Sequence, residues 1–270
     1  MKKRSSIFII CLSLILILPG LSQAERFGIK LTGGINYLEV GDPNASLKGF
    51  ADLTKDLAIF WGVTREGEIE QICNGLDLEG DVIFYLTPRF GISLGSGYIY
   101  GNKAKDANKV ILLDQTYAYG MEMSAIPVRL GVYYSFPISS WGRLFLNGGV
   151  GYYFAKWSES IDWIASTTDQ EAKGSGIGFH GGVGFEFRLV SHFSLFLEGQ
   201  RRHVKIGSFE GKKLDFVEGT LSYYESQILG KWYPKVDVID GLTPIGIRNL
   251  REAKVDFSRF TFRAGIKINF

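Results

Sequence analysis

The sequence predicts an all-β chain, an eight-stranded antiparallel transmembrane β-barrel of up-and-down meander topology, on three observations. Stretch after stretch alternates apolar and polar residues with the two-residue period of a strand. The segments between these stretches are alternately long and short, and the three short ones have the composition of tight turns. Beyond the first two dozen residues no apolar run is long enough to span a bilayer as a helix, and 34 Gly, 13 Tyr and 20 Phe against only seven Pro favour strands throughout.

The N-terminus is read apart from the fold. Lys2, Lys3 and Arg4 precede an apolar run over residues 7–18, a break at Pro19-Gly20 and the small-residue site Ser22-Gln23-Ala24. That is the pattern of a secretory signal peptide, and a run of about a dozen residues falls short of the roughly 20 that a spanning helix needs. Residues 1–24 are therefore expected to be removed, leaving a single barrel domain over 25–270. Glu25 stands where a lipoprotein would need Cys, so Cys73 is the one cysteine expected in the mature chain and no internal disulfide is expected. Cys73 is read as a small apolar filler. Removal of three of the 30 basic residues and none of the 28 acidic ones leaves a nearly neutral, slightly acidic chain, which gives no footing for nucleic acid.

The strands follow in order. The first, over 27–37, sets Phe27, Ile29, Leu31, Ile35 and Tyr37 against Lys30, Thr32 and Asn36. A long polar segment to about residue 75 follows, within which Leu47, Phe50, Ala51, Thr54, Leu57 and Ala58 recur at helical spacing and predict a short amphipathic helix. The second strand, 76–86, carries Asp77, Glu79, Asp81 and Tyr85 on one face, and the third, 90–98, turns Gly91, Ser93, Gly95 and Gly97 the same way after the turn Thr87-Pro88-Arg89. A charged loop over 101–115 leads to the fourth strand, 117–136, which holds Arg129 and Tyr133 inward and contains Pro127, a residue that cannot donate to the ladder and predicts a bulge or distortion. The fifth strand, 144–154, follows a turn at 137–142. A loop is expected over 158–175, then the sixth strand, 177–189, with inward His180, Glu186 and Arg188, and the turn Val190-Ser191-His192. The seventh strand, from 193, carries inward Glu198 and Arg202, and the longest loop, 207–254, precedes the last strand. With entry from the periplasm, short turns fall on that side and long loops outside.

The last strand places Phe260, Phe262, Ala264, Ile266 and Ile268 on one face and Arg259, Thr261, Arg263, Gly265, Lys267 and Asn269 on the other. Its ending resembles the C-terminal assembly signal of bacterial outer-membrane barrels, with Arg263, Gly265, Ile268 and Phe270 in the signal positions, which implies recognition by the barrel-assembly machinery. With Val128-Arg129-Leu130-Gly131-Val132-Tyr133-Tyr134 and Gly148-Gly149-Val150-Gly151-Tyr152-Tyr153, the whole mature chain resembles the small eight-stranded outer-membrane barrels of the OmpA-, OmpX- and OmpW-like superfamily. Residence in the outer membrane is what the resemblance implies. It spans several activities: adhesion, envelope stabilisation, narrow channels for small apolar molecules and, in a few members, lipid modification.

An eight-stranded barrel has an interior just wide enough for side chains, and opposite charges confined there pair. The expected lumen network is Lys30, Asp77, Glu79, Asp81, Arg129, Glu186, Arg188, Glu198, Arg202 and Arg263, with Arg259 and Lys267 also inward by parity. Asp77, Glu79 and Asp81 on one strand face could hold a hard cation such as Ca²⁺, but with cations already supplied by the protein the preferred reading is ion pairing. No metal or cofactor is expected. Lipid A deacylases carry a His and a Ser two residues apart on a lipid-facing strand; His203 faces outward, but Lys205 stands in the serine's place. No catalytic residue is assigned. Loop aromatics, Trp61, Trp157, Trp163, Tyr223, Tyr224, Trp232 and Tyr233, are candidates for ligand or partner binding, for the interface girdle or for loop cores. Lys156, Arg201 and His203 fall on the lipid face near the outer boundary and are candidates for contact with lipopolysaccharide phosphates. The functional expectation is a non-enzymatic barrel with a plugged polar lumen and loops serving envelope structure or ligand binding; a narrow channel for small apolar solutes is the alternative, and a lipid-modifying enzyme the third.

Overall fold

Eight strands close on themselves in the computed structural model, which describes residues 27–163, 166–214, 217–241 and 245–270. The signal peptide expected over 1–24 lies outside the described residues. In chain order the strands are β1 (Phe27–Tyr37), β2 (Asn74–Tyr85), β3 (Phe90–Lys103), β4 (Gln115–Pro137), β5 (Gly142–Trp163), β6 (Ser166–Val190), β7 (Phe193–Ile206) and β8 (Arg259–Asn269). Each pairs antiparallel with the next. β8 returns to β1 from Gly28↔Asn269 to Asn36↔Thr261. A closed ring leaves no edge, which is the condition for a sheet to cross hydrocarbon. The seam is finished by the last residue: the Phe270 amide donates to the Phe27 carbonyl at 2.9 Å, and the two rings stack with centroids 4.8 Å apart.

The faces are inverted relative to a soluble protein. Leu31, Leu78, Leu94, Leu130, Val150, Phe179 and Phe262 are exposed on the outside, whereas Lys30, Glu79, Arg129, Glu198, Arg202 and Arg263 are buried inside. Inward glycines make room for rings: a Cβ on Gly184 would sit 2.3 Å from the Phe145 ring, and one on Gly265 2.7 Å from that of Phe196.

Beyond the apolar band the structure departs from the expected loops. Residues 158–175 are not a loop; β5 and β6 run on as a hairpin whose register holds from Gly142↔Phe187 to Trp163↔Ser166. The two-residue period persists there with its sense reversed, since Trp157, Glu159, Gln170 and Ala172 are buried inside and the polar residues between them lie outside. Among the described residues of 207–254 a small sheet forms, with strands Glu210–Lys213, Val217–Ile228, Lys231–Ile239 and Ile247–Glu252. The helix α1 (Asp42–Trp61) is present and, at 20 residues, longer than the spacing suggested; Pro43 lies in its first turn and Gly62 caps it in the left-handed conformation at φ 65°. It packs on Lys231–Ile239, where a Cβ on Gly49 would meet the Pro234 carbonyl at 2.2 Å.

One further expectation is met in its milder form and another is corrected. Pro127 distorts the ladder without making a bulge: the β4–β5 register passes through Pro127↔Tyr153 unshifted, and the β3–β4 ladder is interrupted between Ser96↔Val128 and Ile99↔Ala125 without a shift. The missing donor interrupts the ladder on one side only, and the Ser96 hydroxyl donates to the Pro127 carbonyl at 2.8 Å. Arg259 is exposed at the rim and paired with Glu39 rather than turned into the lumen.

Candidate functional site: the filled lumen and the outer rim

The lumen fills in three layers, each set by the inward parity of the strands. Nearest the turns, Ile83, Tyr133, Phe145 and Phe196 form an apolar plug with Tyr85. Lys267 reaches Glu186 inside it, and the Tyr133 hydroxyl donates to the same Glu186 oxygen at 3.0 Å. The Lys30 ammonium lies over the Phe145 and Phe196 rings, 5.0 and 4.6 Å from their centroids.

Above the plug lies a balanced cluster. Lys30 donates to Glu198 at 2.5 Å, and Arg263 donates to the other Glu198 oxygen at 2.7 Å. Arg129 donates to Glu79 at 2.5 Å and to Asp81 at 2.7 Å, and Arg202 to Asp77 at 3.0 Å. Arg263 also meets Glu79, joining the two halves. Four cations thus face four carboxylates, drawn from β1, β2, β4, β7 and β8; Arg263 meets its register partner Glu198 along the wall, whereas Lys30–Glu198, Arg129–Glu79 and Arg202–Asp77 join strands that are not neighbours. Pairing of this kind is what makes buried charges tolerable. The carboxylates considered for a cation, Asp77, Glu79 and Asp81, each accept a guanidinium donor.

The third layer is apolar again: Ile99, Met123, Tyr153, Trp157 and Val204 close over the charges. They continue into a core shared with the outer domain, in which Leu47, Phe50 and Leu57 of α1 meet Tyr119, Leu221, Val236 and Val238. Two aromatics considered as loop anchors, Trp157 and Tyr233, belong to this core, and Tyr224 is buried with its hydroxyl donating to Asp237 at 3.2 Å. The side chain of Trp163 lies outside the described residues. Asp56 ties the helix to the sheet, accepting from Lys231 and from the Tyr233 hydroxyl, each at 2.6 Å. Those bonds hold the Asp56 carboxyl below its usual range and, with burial, push the Tyr233 hydroxyl up.

Arg188 stands apart from the lumen network, beside the irregular register at Arg188/Val190 next to the turn, and among the described residues no carboxylate pairs with it. The turn fixes it by its backbone, which donates to Trp141. Sequence reasoning missed two neutral members. Tyr133 bonds to Glu186, and the Asn147 amide donates to Glu198 at 2.7 Å; a lone inward Asn in the glycine-rich β5 was the signal available for the second.

On the outer rim the three basic candidates do not converge. Lys156 pairs with Glu171 at 2.7 Å. The Arg201 guanidinium lies 5.4 Å from the Phe260 ring centroid. His203 has its Nδ1 3.5 Å from the Ser258 hydroxyl. That hydroxyl accepts the Val204 amide at 2.9 Å and so replaces a missing ladder partner ahead of β8. Ser258 therefore acts as a backbone tie, and no acid orients the imidazole among the contacts of the described residues.

A closed eight-stranded ring with an apolar belt, a charge-balanced interior and short turns at one end defines an integral membrane barrel. The chain matches the model of the outer membrane protein beta-barrel domain over residues 8–225 and belongs to that family. Among solved structures it is similar to Neisserial surface protein A at 10% identity, over 92% of this chain and 98% of that one, with a TM-score of 0.38. It is also similar to the outer membrane protein OprG from Pseudomonas aeruginosa, at 11% identity over 92% and 97% with a TM-score of 0.46. A third likeness is to the outer membrane protease OmpT from Escherichia coli, at 8% over 93% and 99% with a TM-score of 0.44. No curated protein matches the sequence.

Proposed function

We propose that this chain is a non-conducting, non-enzymatic barrel of the bacterial outer membrane whose work is done outside: it carries a folded extracellular domain for envelope structure or for binding a ligand or partner, and its rim contacts lipopolysaccharide through Lys156, Arg201 and His203. The observation that carries the reading is the lumen, where the four-against-four charge cluster is closed above and below by apolar layers. A solute path would have to separate pairs whose partners are desolvated, and breaking such a pair costs about 3–5 kcal/mol. The expected outcome in planar bilayers is an absence of unitary currents from purified protein; reproducible single-channel steps would overturn the reading. On the question of chemistry, the Ser258 hydroxyl is engaged by backbone, which favours a structural role. Incubation with lipid A and phospholipids is expected to release no fatty acid, and turnover would overturn that part. The precursor is expected to be cut after Ala24 and inserted by the barrel-assembly machinery; N-terminal sequencing of membrane-inserted protein should begin at Glu25.

A further inference from the structure

The lipid-facing side of the wall does not stop at the apolar band. On β5 the outward residues run Tyr152, Phe154, Lys156, Ser158 and Ser160 without a change of register against β4 or β6. Ser158 lies four residues past Phe154, about 13 Å along the strand and roughly 10 Å higher at a tilt near 40°. At that height the neighbour of an outward-facing sheet is the headgroup layer of the outer leaflet.

There the wall splits. β6 pairs with β7 only as far as Gly178↔Val204. Above that point β6 pairs with the strand Glu210–Lys213, and Ile206 of β7 pairs with Val255. Phe209 fills the fork, against Gly174, where a Cβ would sit 2.9 Å from its ring. The sheet that leaves the ring curls so that its outer face becomes concave, enclosing about 1080 Å³ between the upper ends of β3–β6 and the strands that begin at Glu210 and Val217.

Two cross-strand rows run along it. The lower, next to the apolar band, reads Ser124, Lys156, Lys173, Glu210; Lys173 and Glu210 line the concavity, and Lys156, outside its lining, shares Glu171 with Lys173. The upper reads Glu122, Ser158, Glu171, Lys212, Glu218. Ammonium groups therefore come first above the hydrocarbon, and a row richer in carboxylates and hydroxyl comes next. A glycolipid presents its groups in the same order, phosphates at the acyl boundary and then hydroxyl-rich sugars, for which carboxylate oxygens are acceptors.

We infer that this concavity, continuous with the lipid-facing band, seats the saccharide headgroup of an outer-leaflet glycolipid, with Lys173 toward its phosphates and Glu122 and Ser158 toward its sugars. The inference rests on the rim reading above and deepens it from scattered cations to a built surface.

The test uses the full mature chain in phospholipid nanodiscs, titrated with lipopolysaccharide bearing its core sugars or with lipid A alone. Ser158→Trp, which fills the concavity without changing charge, should weaken binding of the sugar-bearing lipid about tenfold or more and leave lipid A binding unchanged. Glu122→Gln should do the same and decides the matter if the tryptophan variant does not fold. Unaltered binding of the sugar-bearing lipid, or equal losses for both lipids, in a heat-modifiable variant overturns the inference. Lys156→Glu with Arg201→Glu is expected to weaken both lipids; if it weakens neither while Ser158→Trp discriminates, the rim reading fails and the concavity stands.

Discussion

β4 crosses two environments, and its two ends obey opposite rules. Between residues 126 and 136 the apolar side chains Ile126, Val128, Leu130 and Val132 face out and Arg129 and Ser135 face in. Between residues 117 and 125 the inward set is Tyr117, Tyr119, Met121, Met123 and Ala125, all buried, while Glu122 is exposed on the outer face. The backbone period is the same; only the solvent on the outer face changes. In the lower part the outer apolar faces lie in lipid, so apart from the small apolar plug near the turns it is charge pairing and backbone satisfaction that hold the strands together. In the upper part burial of apolar area drives the fold as in any soluble domain. The two regions should therefore fail under different substitutions.

The largest expected difference is in assembly. Deleting Phe270 removes both the seam contact with Phe27 and the terminal aromatic of the assembly signal, so the amount of heat-modifiable, membrane-inserted protein should fall sharply. Undiminished insertion would mean that the seam closes without it. Next is Arg129→Leu, which strips Asp81 of its guanidinium partner and Glu79 of one of its partners, and should cost about 3–5 kcal/mol in urea unfolding of the barrel. An unchanged midpoint would show that the remaining guanidinium groups suffice. The matching cut in the upper region is Leu47→Ala. Leu47 is fully buried in the outer core, and its truncation should cost about 2–5 kcal/mol there, read as faster proteolysis within residues 207–254 while the barrel keeps its gel shift. Loss of both together would mean that barrel and outer domain unfold as one unit.

The smallest effect concerns pH. Glu159 is buried beneath the outer sheet, with one oxygen accepting the Gln170 amide at 2.9 Å; Asp237 adds repulsion, and Lys235 and Lys213 only partly offset it. Burial is the first cause, and its carboxyl is pushed well above the ordinary range. A raised acid binds its proton more tightly when folded, so its contribution is present at low pH and fades as pH rises from the unfolded value through the folded one. Glu159→Gln, which keeps the neutral shape, should make the outer domain more resistant to protease than wild type at pH 8 and no different at pH 4. Equal resistance at both would place the Glu159 titration outside the stability of this domain.

Much of the barrel is legible along the chain because each lipid-crossing strand must alternate, each short turn shows its Pro, Gly or Ser, and each inward charge falls on a fixed parity. Lys30, Glu79, Arg129, Glu198 and Arg263 lie inward in the sequence pattern as they do in the structure. The outer domain was hidden for a physical reason. Where water replaces lipid, apolar residues turn inward, and in residues 158–175 and 207–254 the alternation is carried by single buried residues such as Ala172, Phe209 and Leu221 among polar neighbours. Such segments read as loops until another element covers them.

The sequence by itself determined the number of strands in the ring, the side on which most strand residues within the apolar band lie, and that the interior is charged, because all three follow from a period of two and a membrane of fixed thickness. Which carboxylate meets which guanidinium, the departure of Arg188 and Arg259 from the network, and the curl that makes a concave face beyond the band were decided by tertiary structure alone. Those depend on how eight strands are staggered around a closed ring and on where Phe209 parts β6 from β7, and distances across a barrel are not a function of spacing along one strand.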